Sequence, residues 1–179
     1  MQMKRYAYYL LLYLCNHWIT HIPSLHLRLW FYRYVMGFKI GNGTTIMMGA
    51  RFSAPRRLTI GSNCVINENC VFGNRGGIEI GNCVIIGPDC HLRSGDHDIN
   101  DPTFPPRYEP IAIGDHVFLG MRSTILKGVK LGKGAVVGAC ALVTKSCGDR
   151  DILVGVPATQ IGTRRGELSY LPDWKPLLQ

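Results

Sequence analysis

Large apolar residues recur at every sixth position through most of this chain, and a small residue usually follows four places later. In the second half the period is unbroken, and its apolar positions are Ile113, Leu119, Ile125, Leu131, Val137 and Val143. Upstream the same spacing occurs in groups of three, separated by two extra residues: Ile40, Ile46 and Phe52, then Ile60, Ile66 and Phe72, then Ile80, Ile86 and Leu92. A period of six in groups of three predicts short strands joined by tight corners, three to each turn of a solenoid.

The repeat therefore predicts an all-β solenoid of about five triangular coils, whose parallel strands stack about 4.8 Å apart. The large residues point inward, and the small ones fill the narrow corners. Glycine and asparagine at the corners suit the positive φ of tight turns, as at Gly61, Asn63, Gly81, Asn82 and Gly114. A sandwich with glycine-rich turns is the alternative, but it does not explain so many hexads in phase. Spacing alone leaves the handedness of the coil open.

The repeats occupy residues 40–162 and leave extensions at 1–39 and 163–179. Each repeat buries its face only on its neighbours, so these extensions are candidate caps. In the first, the apolar run 6–15 is about half as long as a bilayer span, and no cleavage site follows it, which argues against an export signal. We predict a second helix over 25–35, with an N-cap at Ser24.

In that second helix, Leu25, Leu29 and Tyr32 fall on the packed face, and Arg28 lies elsewhere. Charge is also uneven, because eight basic residues precede the first acidic residue, Glu68, and the remainder carries twelve charges of each sign. Two interpretations of the basic, aromatic extension stay open: a cap packed on the first coil and on neighbouring subunits, or attachment to an anionic membrane surface. No dense basic run or reader motif supports nucleic acid binding.

The seven cysteines indicate a reducing, cytoplasmic setting. Cys64, Cys70, Cys90 and Cys147 fall on the small corner positions, where they fill space. Cys70 and Cys90 lie one coil apart, so a disulfide is conceivable, although it is not favoured without an export signal. No CxxC pair suggests zinc.

The lattice is interrupted once, by a proline-rich loop at 93–112. A loop extruded from a solenoid usually serves binding or catalysis. The loop contains His97, whose imidazole can take and return a proton near neutral pH. Asp96 or Asp98 could orient the ring, although solvation of the loop explains both carboxylates equally well.

The hexads, the loop sequence 94–97, the restart at 113–120 and the ending at 137–145 with 154–158 resemble the hexapeptide-repeat acyltransferases. Within that family the chain is most similar to the maltose and galactoside O-acetyltransferases and to exopolysaccharide acetyltransferases of the colanic acid type. The likeness covers about residues 20–163. It implies a left-handed β-helix and a homotrimer with active sites between subunits.

The resemblance also implies transfer of an acetyl group from acetyl-CoA to a sugar hydroxyl, with His97 as general base and Asn67, Asp96 and Asp98 positioning the reacting groups. It places coenzyme A between adjacent solenoids, against Phe118, Gly120, Gly138, Ala139, Thr144, Lys145, Arg164 and Arg165. Backbone amides at Gly120, Gly138 and Ala139 would meet the pantetheine. The chain departs from the family at Phe118, where Trp is common, and at Thr159 and Gly162, where basic residues are common.

The acceptor stays open among exopolysaccharide, capsule or O-antigen sugars, free sugars and antibiotics, and the donor acyl group could be longer than acetyl. A zinc enzyme is disfavoured because His91, His97 and His116 lack the close spacing of paired ligands, so no metal is predicted. A non-catalytic scaffold remains an alternative, but it gives the loop histidine no purpose. The expected location is the cytoplasm, either free or at the inner face of the cell membrane.

Overall fold

The computed structural model describes residues 2–172 and residue 174. The chain begins with helix α1 (Gln2–His17), a 3-10 turn (Ile19–His21), helix α2 (Leu25–Trp30) and a π-helical turn (Phe31–Val35). The strands are β1 (Lys39–Ile40), β2 (Thr45–Ile46), β3 (Arg51–Phe52), β4 (Leu58–Ile60), β5 (Val65–Ile66), β6 (Val71–Gly73), β7 (Ile78–Ile80), β8 (Ile85–Ile86), β9 (His91–Arg93), β10 (Gly95–His97), β11 (Pro106–Tyr108), β12 (Ile111–Ile113), β13 (Phe118–Leu119), β14 (Thr124–Leu126), β15 (Lys130–Leu131), β16 (Val136–Val137), β17 (Leu142–Val143), β18 (Asp151–Gly155) and β19 (Ala158–Thr163). A 3-10 turn (Asn74–Gly76) follows β6.

Three sheets form the faces of the triangle, and their strands are parallel except for the last pair of the second face. The first face has the order β1-β4-β7-β12-β15, the third face the order β3-β6-β9-β14-β17. The second face stacks β2, β5, β8, β13, β16 and β18, and β19 adds to it antiparallel. The predicted solenoid is confirmed, and the strand β18 adds a partial sixth coil to the five predicted.

The predicted apolar positions stack in register along each face. On the second face the aligned residues are Ile46, Ile66, Ile86, Leu119, Val137 and Leu153. All six are at most 5% exposed. Burying such a side chain contributes about 1.5–3 kcal/mol, so these columns are the main source of stability. Leu153 belongs to the column although the hexad lattice ends before it.

The corners follow two different physical rules. Asn63 has a φ of +55°, as predicted. Asn82 does not have positive φ, because the left-handed corner residue is its neighbour Cys83, with a φ of +55°. Gly61, Gly81 and Gly114 do not have positive φ either, so that part of the prediction is wrong. Glycine is needed at Gly61 because a Cβ there would lie 2.5 Å from the carbonyl oxygen of Gly81 on the next coil. These glycines permit close stacking of the coils.

The N-terminal helices cover the open end of the first coil. The side chain of Asn16 both donates to the carbonyl oxygen and accepts from the amide of Phe52, at 2.9 Å each. Thr20 donates to the carbonyl oxygen of Ala50 at 2.7 Å. These bonds satisfy strand-edge groups that the first coil would otherwise leave unpaired. No helix within 2–172 is long and apolar enough to cross a bilayer.

The second helix begins as predicted, since Ser24 accepts a hydrogen bond from the amide of Leu27. The prediction that Arg28 lies away from the packed face is wrong. Arg28 is fully buried, and it donates to the carbonyl oxygens of Ile22 and Ile46. The guanidinium is drawn inward because the first coil presents carbonyl groups at its open end.

At the other end, the hairpin of β18 and β19 closes the solenoid, and the tail returns across it. Arg164 donates to the carbonyl oxygen of His116 at 2.9 Å and to the hydroxyl of Tyr170 at 3.1 Å. Part of the predicted tail 163–179 lies outside the described residues. The cysteines are free thiols, and no disulfide joins Cys70 to Cys90.

Candidate active site

The interruption of the lattice is a β-hairpin that projects between the third and first faces. Strands β10 and β11 pair antiparallel, with Asp96 opposite Arg107 and His97 opposite Pro106. Arg93 still belongs to β9 and Ile111 already to β12, so the projecting segment is shorter than the predicted 93–112. The hairpin is held at both roots by the solenoid.

The imidazole of His97 is oriented by the backbone of its own loop. Its Nδ1 lies 2.8 Å from the carbonyl oxygen of Phe104. Because a carbonyl oxygen only accepts, Nδ1 carries a hydrogen, and in the neutral ring the lone pair is therefore on Nε2. The ring also stacks on that of Phe104, with centroids 4.7 Å apart and 11° between planes. A fixed ring with a basic Nε2 is what a general base requires.

Neither neighbouring carboxylate orients that ring. Asp96 accepts two hydrogen bonds from Arg107, at 3.1 and 3.0 Å, which hold the pKa of its carboxyl below the ordinary value. Asp98 accepts from the amide of Asn100 and lies 3.8 Å from Arg107. Both carboxylates therefore stabilise the hairpin, and the group that contacts Nδ1 of His97 is the Phe104 carbonyl, which the sequence analysis did not consider beside Asp96 and Asp98.

A cleft of about 310 Å³ opens beside His97. Its polar and aromatic lining comes from the hairpin and from three coils of the third face: Ser53, Arg75, Arg93, Asp96, His97 and Tyr108. Sequence reasoning missed the residues contributed by the coils. A spacing of twenty residues, the length of one coil, could have identified them. Ser53, Gly73 and Arg93 are separated by twenty residues each and stack on successive coils.

Asn67 does not line this cleft. It lies at the corner after β5, partly buried, and its side-chain amide donates to the carbonyl oxygen of Ile86 at 2.7 Å. Within one chain its contact is therefore structural.

Four of the predicted donor residues, Phe118, Gly120, Gly138 and Ala139, lie on the second face or at its corners, whereas Thr144 and Lys145 follow β17 of the third face. Phe118 is 39% exposed on β13. The amides of Gly120 and Gly138 donate to the carbonyl oxygens of Val137 and Leu153, at 2.7 and 2.8 Å, and so are occupied. The amide of Ala139 has no such partner among the described residues. Of the three predicted amides, that of Ala139 is the one open to a ligand.

The predicted phosphate contacts differ in availability. Thr144, Lys145 and Arg165 are exposed. The guanidinium of Arg164 lies over the ring of Tyr170, 5.4 Å from its centroid, and is committed to the tail by the bonds described above. Lys145 and Arg165 are thus the cations that a phosphate could approach.

In the described part of the chain, no three His, Cys, Asp or Glu side chains are grouped to hold a metal ion. His91 points outward from β9, and His116 packs edge-on against Tyr170 at 5.2 Å. The three histidines considered in the sequence do not converge.

Comparison with known proteins agrees with this geometry. A family model for the hexapeptide repeat of succinyl-transferase matches residues 110–145. The chain is 31% identical over 130 residues to the putative colanic acid biosynthesis acetyltransferase of Escherichia coli K12, covering 73% of this chain and 71% of that relative. The match to this chain covers half or less of the length of two other curated relatives, a putative acetyltransferase from Schizosaccharomyces pombe and a probable acetyltransferase from Mycobacterium tuberculosis.

Two solved structures share the whole architecture. A galactoside acetyltransferase in complex with coenzyme A is 26% identical, with a TM-score of 0.79, and the match covers 90% of this chain and 81% of that one. A maltose O-acetyltransferase from Clostridium difficile 630 is 25% identical, with a TM-score of 0.80, and the match covers 92% and 88%.

Proposed function

Since this chain belongs to the hexapeptide-repeat acyltransferase family, whose left-handed β-helix it shares, we propose that it transfers an acetyl group from acetyl-CoA to a sugar hydroxyl. The proposal rests on the position and hydrogen bonding of His97. Its Nδ1 is bonded to the Phe104 carbonyl, so Nε2 is the atom that can accept a proton, and the residue lines the cleft.

In the proposed reaction, the acceptor hydroxyl donates a hydrogen bond to Nε2 of His97. As the imidazole takes the proton, the hydroxyl oxygen attacks the thioester carbonyl of acetyl-CoA and forms the new C–O bond. The C–S bond then breaks, and the departing thiolate takes the proton back from His97. General base catalysis of this kind supplies about 10²–10⁴-fold in rate. The Phe104 carbonyl also stabilises the imidazolium that forms transiently.

For the donor, we propose a site that begins on the exposed side of the second face and extends past its corners, with the Ala139 amide at the pantetheine and Lys145 or Arg165 at the phosphates. Gly120 and Gly138 contribute by close stacking of the coils: a Cβ on Gly120 would lie 2.5 Å from the amide nitrogen of Ala139. A homotrimer, with coenzyme A between neighbouring solenoids, would complete the site. The related galactoside acetyltransferase binds coenzyme A, which supports this choice of donor.

For the acceptor, the similarity to a colanic acid biosynthesis acetyltransferase supports a sugar in polysaccharide biosynthesis. The polar lining of the cleft, with two arginines, an aspartate and a serine, fits a hydroxyl-rich ligand. This chemistry favours a sugar over an apolar antibiotic scaffold.

The test uses the full chain, whose oligomeric state is first measured by sedimentation. Acetyl-CoA binding is measured by calorimetry, and transfer to a panel of sugars by thiol release. His97→Ala should lower turnover at least a hundredfold while acetyl-CoA still binds. His91→Ala, an exposed histidine on β9, is the matched control and should leave turnover unchanged. Near-normal turnover of His97→Ala would show that another group acts as the general base.

A further inference from the structure

Two arginines line the cleft beside His97, and a third lies in the depression next to it. Arg75 and Arg93 line the cleft itself. Arg57 and Arg75 line an adjoining depression together with Tyr8 of α1 and Tyr108 of the hairpin. Arg57 donates to the carbonyl oxygen of Arg75 at 2.8 Å, which ties these two corners together. The three guanidinium groups thus follow one path that ends at the hairpin of His97.

These charges have no acidic partner in the described part of the chain. Among residues 2–172, no carboxylate lies within ion-pair distance of Arg57, Arg75 or Arg93. The acidic residue that lines the cleft is Asp96, and it is already occupied by Arg107 and lies 3.9 Å from Lys127. Like charges without counter-ions repel each other, so an anion in the cleft would be attracted directly by Arg75 and Arg93, and Arg57 would add to the positive potential from the adjoining depression.

The backbone also makes room for one of these side chains. Gly73 is in register with Arg93, and a Cβ on Gly73 would lie 3.3 Å from Cδ of Arg93. Glycine at this position lets the Arg93 side chain rest against the preceding coil, beside the cleft. A larger residue would push the guanidinium away from it.

We propose that the acceptor is a sugar bearing a phosphate or diphosphate, which Arg75 and Arg93, extended by Arg57, hold while the sugar hydroxyl meets His97. Arginine forms paired hydrogen bonds with phosphate oxygens, and these charge-assisted bonds are stronger than those between neutral groups. A neutral sugar cannot form them. The inference rests on the proposed acetyltransferase function and specifies its substrate class. Both a sugar nucleotide and a lipid-linked sugar diphosphate have this chemistry.

The first experiment measures binding of inorganic pyrophosphate to the full chain by calorimetry, in the absence of acetyl-CoA. Arg75→Gln and Arg93→Gln should each weaken binding about tenfold or more, since each removes hydrogen bonds to a charged group. Lys130→Gln removes one positive charge from the first face, on an exposed residue of β15, and should bind pyrophosphate as the wild type does. Equal affinity in all four proteins would overturn the proposed phosphate site.

The second experiment compares acceptors by thiol release: a methyl glycoside, the corresponding sugar 1-phosphate, a uridine diphosphate sugar and a polyprenyl diphosphate sugar. We expect the phosphate-bearing acceptors to have kcat/KM values about tenfold or more above the glycoside. Arg93→Gln should lower that ratio about tenfold, whereas Lys130→Gln should leave it as in the wild type. Whichever of the uridine diphosphate sugar and the polyprenyl diphosphate sugar has the higher kcat/KM shows whether the natural acceptor is a sugar nucleotide or a lipid-linked sugar. Equal use of the glycoside and the phosphates would overturn this inference alone, whereas no transfer to any acceptor would overturn the proposed function with it.

Discussion

At the scale of single residues, the chemistry rests on one imidazole and one carbonyl group. Phe104 provides both the carbonyl that fixes the tautomer of His97 and the ring that stacks on it. Its φ is +48°, a left-handed backbone conformation that is uncommon for an aromatic residue and costs about 1–3 kcal/mol. The surrounding loop sustains this conformation, and the result is a carbonyl aimed at Nδ1.

Removing the Phe104 ring separates these two contributions. Phe104→Ala keeps the backbone carbonyl but loses the stacking, which is worth about 0.5–1.5 kcal/mol. Turnover should fall about three- to tenfold, with acetyl-CoA binding unchanged. Ile99→Ala is the matched control, because Ile99 is an apolar residue of the same loop and is 77% exposed. The two variants are compared by steady-state kinetics, and a loss of the same size in both would mean that the stacking does not matter.

At the scale of elements, the hairpin of β10 and β11 is mostly exposed, and charged side chains join its strands. Arg107 joins Asp96 to Asp98, and Lys127 of the solenoid contacts Glu109 at the root of the hairpin. Because the pKa of Asp96 is lowered in the folded protein, its contribution is present above the ordinary carboxyl pKa of about 3.9 and is lost as the pH falls through the lower folded value. The hairpin therefore keeps its ion pairs throughout the neutral range.

Breaking this network should affect catalysis more than stability. Arg107→Gln removes both aspartate contacts, so the hairpin loses its fixed position, and we expect kcat to fall on the order of tenfold because a displaced base reacts slowly. The melting temperature should hardly change, since exposed ion pairs contribute little to unfolding free energy. Arg122→Gln, which breaks the exposed pair with Asp89, serves as the control. Thermal melts and steady-state kinetics measure the two effects. An unchanged kcat in Arg107→Gln would show that other contacts hold the hairpin in place.

At the scale of the whole molecule, the N-terminal helices cap the first coil on one side and present apolar side chains on the other. The exposed ones include Met3, Tyr6, Tyr9, Leu10, Tyr13, Trp18, Leu27, Trp30 and Tyr34. No acidic residue occurs before Glu68. An aromatic face that carries the exposed Arg5 beside Tyr9 and no carboxylate suits the surface of an anionic membrane.

This membrane interpretation predicts flotation with liposomes. The protein should float with vesicles containing phosphatidylglycerol, float less with neutral vesicles, and be released by salt. Replacing Trp18 and Trp30 by Ser should abolish flotation, whereas Ile161→Ser at the opposite end of the solenoid should leave it intact. No flotation with any vesicle at low salt would leave the helices as a cap alone.

The sequence by itself determined the solenoid and the position of its interruption. Each strand has the same short pattern, so Ile66, Ile86 and Leu119 could be assigned to one buried column without knowledge of any distant contact. The same periodicity singled out His97, because this residue lies in the one segment where the six-residue pattern is interrupted. Periodicity is a local property, and a sequence displays it directly.

Only the tertiary structure decided which groups meet. Arg28 is buried because the open end of the first coil needs donors, and Asp96 faces Arg107 because the loop folds into a hairpin. Arg75 and Arg93 flank the same cleft although they come from different coils. Such contacts depend on how the coils and the hairpin are placed in three dimensions, and residues that meet across that distance share no local pattern by which a sequence could pair them.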